Sequence, residues 1–263
     1  MKHILYLASA ITLLSVAISC KPNEPAPVSA AVETAPISMH LHAYIGTSPS
    51  GEVDLYGTVH KDDEGRKISL SFAQLYISNI RLVKRDGSIY SLSDTILLSN
   101  IGEQVYQLGN VPIGNYRTIR FDIGLPAAVN AQIPFSATPV ILNNSAMWFT
   151  GSAQANNYVF MHAAGKIDTT AAKNAEDADM APFVYKIGTN SNVVQVSMPD
   201  QNFAVQPNTM AYIHMKADYA ELFNGINLTN KDHLTVETAA DNASSLVIDI
   251  TSNMKKMFKY ENQ

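Results

Sequence analysis

The chain has 263 residues, 46% of them hydrophobic, with 18 Lys and Arg against 23 Asp and Glu, for a net charge of −5. No basic stripe is present to replace phosphate counterions, so a nucleic-acid partner is excluded. A single cysteine, Cys20, rules out an internal disulfide, and the fold must rest on an apolar core.

The N-terminus is expected to be a signal peptide over residues 1–19. Lys2 supplies a basic start, and Ile4 to Ile18 forms an apolar run. That run is too short for the about 20 residues a bilayer-spanning helix needs. Ala17-Ile18-Ser19-Cys20 has the form of a bacterial lipoprotein cleavage site, in which the cysteine is acylated and becomes the new N-terminus. Residues 20–36 follow as a tether carrying Pro22, Pro25, Pro27 and Pro36, which fix φ and remove donors. Lipidation at Cys20 would then hold the protein to the envelope of a Gram-negative bacterium, on the periplasmic or the outer face.

Residues 37–263 are expected to form one all-β domain, an antiparallel sandwich, Ig-like or related, with one or two short helices. The segment Lys67 to Arg85 reads as a long strand whose phase changes near Ala73-Gln74, as at a bulge. Asp86-Gly87 marks a hairpin turn, and Lys61 to Gly65 marks another. Gly109 to Asn115 is turn-rich, and Tyr116 to Gly124 is a strand with Tyr116, Thr118, Arg120 and Asp122 on one face. Further strands are predicted at Val140–Leu142, Tyr158–Ala164, Val184–Ile187, Val193–Met198, Met210–Ala217 and Ser245–Ile250. The Asp218-x-x-Glu221 spacing starts a short helix, and Ser252 to Tyr260 is a predicted C-terminal helix. The acidic stretch Asp168 to Ala181 lacks the ligand spacing of a calcium loop and reads as a solvated excursion.

Several segments, in order, resemble the MbnP-like family of periplasmic copper-binding proteins associated with methanobactin. They are Phe72 to Leu82, Asp86 to Tyr90, Leu108 to Tyr116, Ile119 to Gly124, Tyr158 to Phe160, Phe183 to Gly188, Asp218 to Gly225, and Asn253 to Phe258. The resemblance covers nearly all of residues 37–260. It implies copper bound through histidines, and in some relatives a tryptophan oxidised to kynurenine by a dihaem partner enzyme of peroxidase type. The family's Met-x-Trp-x-Trp segment corresponds to Met147-Trp148-Phe149-Thr150-Gly151, with the only tryptophan of the chain, Trp148, displaced by one position. Where the family tends to carry histidine before Ile-Gly, this chain has Lys186.

Among the residues themselves, His40 and His42 are the sharpest pair. Alternation puts both on one face of a strand, where two imidazoles can converge on one ion, and imidazole suits Cu(II). Met39 is a thioether that alternation turns to the other face. His162 and His214 are candidate third ligands, whereas His60 and His233 sit beside polar residues and read as surface histidines. No Gly-x-Ser-x-Gly, His-Glu-x-x-His or phosphate-cradling loop occurs, so the expected domain is a metal binder and not an enzyme. The alternative is a protein- or glycan-recognition or adhesion module on the same fold that has lost the metal site, with Trp148 and the tyrosines near 156–160 as contact residues.

Overall fold

Alternating apolar residues form the first strand, β1 (Thr34–Tyr44). It buries Ala35, Ile37, Met39 and Leu41, and turns Pro36, His40 and His42 to the opposite face. The computed structural model describes residues 32–46, 56–92, 94–102, 105–134, 140–149 and 154–261. The expected signal peptide, Cys20, most of the tether, and Thr150-Gly151 lie outside them. β1 already begins at Thr34, inside the stretch expected to be tether.

The next strands are β2 (His60–Lys61), β3 (Lys67–Lys84), β4 (Ile89–Leu92), β5 (Leu97–Asn100), β6 (Val105–Pro112) and β7 (Gly114–Ile123). After a one-turn helix α1 (Ala127–Asn130) come β8 (Val159–Ile167), β9 (Ala181–Gly188), β10 (Val194–Ser197), β11 (Phe203–Val205) and β12 (Ala211–Asp218). β13 (Thr235–Val236), the helix α2 (Ser245–Met254) and β14 (Phe258–Tyr260) follow and are the last strands and helix among the described residues.

Two sheets result. The smaller has the order β14-β12-β1-β6, and the larger follows the path β10-β7-β3-β8-β9-β13, with β2, β4 and β5 on β3 and β11 on β7. Buried residues of both sheets, such as Met39, Met215, Leu75 and Phe121, belong to one hydrophobic cluster, so the sheets pack face to face. The all-β expectation holds. Most pairings are antiparallel, but β1 runs parallel to β12 and β13 parallel to β9. A second cluster of Tyr76, Leu125, Leu142, Met147, Phe149, Tyr158, Val159 and Phe160 packs apart from the first.

Several local expectations are corrected. β3 changes phase at Ser71 and again around Asn79, not at Ala73-Gln74. Asn79 sits at φ +49, and the two shifts place Phe72 with the second cluster while Ala73, Leu75, Ile77, Ile80 and Leu82 stay in the first. Gly109 to Pro112 lies inside β6, and only Ile113 separates β6 from β7, because Gly109 at φ +108 absorbs the irregularity as a bulge. A register shift at Arg117 turns Tyr116 into the core, away from the Arg120 face. Val140–Leu142 is a 3-10 turn. Ser245–Met254 is a helix, since Leu246, Val247, Ile250 and Met254 bury one helical stripe. The segment expected to be the last helix ends instead in β14.

Candidate functional site: a histidine row on the smaller sheet

β1 and β12 lie side by side in parallel register, with His40 opposite His214. Residues paired in register share a face, so the outward row of β1 meets the outward row of β12. His40 Nδ1 lies 3.1 Å from His214 Nδ1, and His40 Nε2 lies 3.0 Å from His42 Nε2. The third contact comes from the C-terminus. After β14 the chain still pairs with β12, with Glu261 N donating to His214 O at 3.2 Å, and its carboxylate Oε1 sits 2.5 Å from His42 Nδ1. All four side chains are partly buried, with His42 at 14% and Glu261 at 19% exposure.

These groups form a chain in series. A carboxylate only accepts, so His42 Nδ1 donates to Glu261. With all three rings neutral, His42 Nε2 then accepts from His40 Nε2, and His40 Nδ1 accepts from His214 Nδ1. The last nitrogen, His214 Nε2, has no hydrogen-bond partner among the described residues. Tyr212, 45% exposed, lies 6.0 Å from the His214 ring, and Met210 accepts from Ser38 Oγ through its sulfur at 3.5 Å. Lys216 stands over the Tyr44 ring at 4.3 Å.

Two nitrogens bound at about 2.0 Å with a roughly tetrahedral angle stand about 3.1–3.3 Å apart. The His40–His214 pair at 3.1 Å falls at the lower end of that span, and the His40–His42 pair at 3.0 Å lies just below it. Three nitrogens do not converge, and among the described residues no group of three or more His, Cys, Asp or Glu is arranged to hold a metal. The reason is geometric: the two nitrogens of His40 face opposite ways, one toward each neighbour.

The other sequence candidates lie elsewhere. His162 is on β8 in the larger sheet, opposite Gln74 of β3 and Lys186 of β9. Its Nδ1 meets Ala146 O at 2.9 Å, its ring packs on Phe72 at 4.4 Å, and burial holds its pKa below the ordinary histidine value. His162 thus faces the segment that carries Trp148, not the His40 row. Trp148 is half-buried and donates from Nε1 to Leu142 O at 3.3 Å. Met39 is fully buried on the inner face, as alternation requires. Tyr158 is fully buried, which leaves the recognition alternative without its tyrosine contact there. Glu261 was not visible as a site residue in the sequence. No motif marks it, and only the β12–β14 pairing carries it to His42.

The architecture and the row together define an all-β, two-sheet protein whose ligand-competent side chains project from paired strands. The MbnP family model matches residues 34–258, and the chain belongs to the MbnP family. Among solved structures, MbnP from Methylosinus trichosporium superposes with a TM-score of 0.51 at 15% identity, over 81% of this chain and 83% of that one, a likeness of fold. Among curated proteins no relative matches. The family is linked to methanobactin, to copper and to the periplasmic or extracellular space, and it is not known as catalytic. Among the described residues no helix is long and apolar enough to cross a membrane.

Proposed function

We propose that this chain is a non-catalytic, lipid-anchored envelope protein that binds copper at the histidine row of the smaller sheet. The observation that carries this reading is the succession of contacts from Glu261 through His42 and His40 to His214. Histidine and carboxylate form a donor set that copper accepts, and the partly buried position lowers competition from water. His40 with His42, or His40 with His214, supplies the first two nitrogens. Glu261 orients the His42 ring, as carboxylates behind metal-bound histidines do. Anchoring through Cys20 and oxidation of Trp148 by a dihaem partner belong to the same proposal, on the strength of the lipoprotein-type N-terminus and of family membership.

The test is a copper titration of the protein, followed by competition with a chelator of known affinity. The wild type is expected to bind stoichiometrically, and the His40→Ala/His42→Ala double variant to lose that binding. Glu261→Gln is expected to weaken it by about 10–100-fold without abolishing it. Wild-type binding no tighter than that of free imidazole would end the copper reading.

A further inference from the structure

On the outer face of the larger sheet, four strands place one residue each in a single cross-sheet row. Ser91 of β4 pairs with Arg81 of β3, Arg81 pairs with Arg120 of β7, and Arg120 pairs with Ser197 of β10. Paired residues share a face, with Cβ atoms about 5 Å apart, and like charges directly opposite one another destabilise a sheet. In a chain of net charge −5, two arginines set side by side call for a counter-charge.

The neighbouring carboxylate does not meet that need. Asp122 is 6% exposed and takes Arg81 at 2.8 Å on one oxygen and Asn79 at 2.8 Å on the other. Each of its oxygens accepts one of these hydrogen bonds, and among the described residues neither is paired with Arg120. The Arg120 guanidinium has no hydrogen bond or ion pair among the described residues. The Nε atoms of Arg81 and Arg120 are both shielded from solvent without a partner. Ser91 and Ser197, at the two ends of the row, are exposed.

We propose that this row is an oxyanion-binding site. The Arg120 guanidinium takes the anion, the remaining donors of Arg81 share it, and the Ser91 and Ser197 hydroxyls bound the site. Arginine's planar fork matches carboxylate and phosphate oxygens in paired hydrogen bonds, and a single anion between the two guanidiniums removes their repulsion. The ligand class is a carboxylate or a tetrahedral oxyanion of the phosphate or sulfate type. The site lies on the opposite sheet from the histidine row and does not depend on metal binding.

The experiment is thermal unfolding of the full chain at pH 7 in low salt, with inorganic phosphate or acetate added against sodium chloride of matched ionic strength. Phosphate, acetate or both are expected to raise the wild-type Tm by about 2 °C or more beyond chloride. The more effective anion identifies the ligand as phosphoryl-like or carboxylate. Arg120→Gln is expected to lose that increment while keeping or raising the Tm in anion-free buffer, since it breaks no hydrogen bond and relieves a like-charge pair. Arg120→Lys, which keeps the charge but loses the fork, is expected to retain less than half of it. Equal behaviour of all three salts on the wild type, or an undiminished increment in Arg120→Gln, would overturn the site.

Discussion

His162 shows how one side chain ties its surroundings to pH. Burial is the main cause of its lowered pKa, and the nearby Lys186 charge adds to it. The folded protein therefore binds a proton at this ring less readily than the unfolded chain does. Stability is fully present above the unfolded value of about 6.5 and is lost as the pH falls through that value toward the folded one. Denaturant midpoints at pH 7 and pH 5 are expected to differ in that direction. His162→Gln keeps a donor for Ala146 O, costs about 1 kcal/mol at pH 7 and should narrow the difference between the two pH values. A variant with the same pH dependence as the wild type would place the acid sensitivity elsewhere.

At the scale of elements, β3 organises the larger sheet, and its contact with β8 leaves no room for a side chain at Gly165. A Cβ there would stand 1.9 Å from Ser69 O and 3.0 Å from Leu70 Cα, both backbone atoms that cannot yield without separating the strands. Gly165→Ala is therefore expected to destabilise by about 3 kcal/mol or more, measured by urea unfolding, although φ at this position favours no glycine. A loss under about 1 kcal/mol would mean that the β3–β8 pairing is looser than its register implies.

Such pairings also mark the limit of what sequence carries. The alternation of Ile68 to Leu82 announces β3, and Asp86-Gly87 announces its hairpin with Gly87 at φ +88, because both signals are local. Ser245 to Ile250 alternates almost as well as it repeats at helical spacing, and only packing of Leu246, Val247 and Ile250 against the core decides for helix. His40 and His42 share a face by period alone. Their meeting with His214 depends on a parallel pairing between strands at opposite ends of the domain, and the place of Glu261 depends on the antiparallel pairing of β14 with β12; no local pattern encodes either.

For the whole molecule, that parallel pairing makes the N-terminal strand an interior part of the smaller sheet. β1 lies between β12 and β6, so it is a central strand of that sheet and not an edge. It contributes Ile37, Met39 and Leu41 to the shared core, all at 3% exposure or less. Fully burying side chains of this kind stabilises by about 1.5–3 kcal/mol each, so the three together supply about 5–9 kcal/mol. That is comparable to the whole net stability of a domain, about 5–15 kcal/mol, before the lost β1 hydrogen bonds are counted. A chain starting at Glu33 is accordingly expected to unfold cooperatively at the Tm of the full-length protein. A chain starting at Ile45 is expected to show no cooperative transition by near-UV circular dichroism. If the shorter chain unfolded cooperatively near the same Tm, β1 would be an addition to an independently stable sheet, and the histidine row would stand on a strand that the domain can lose.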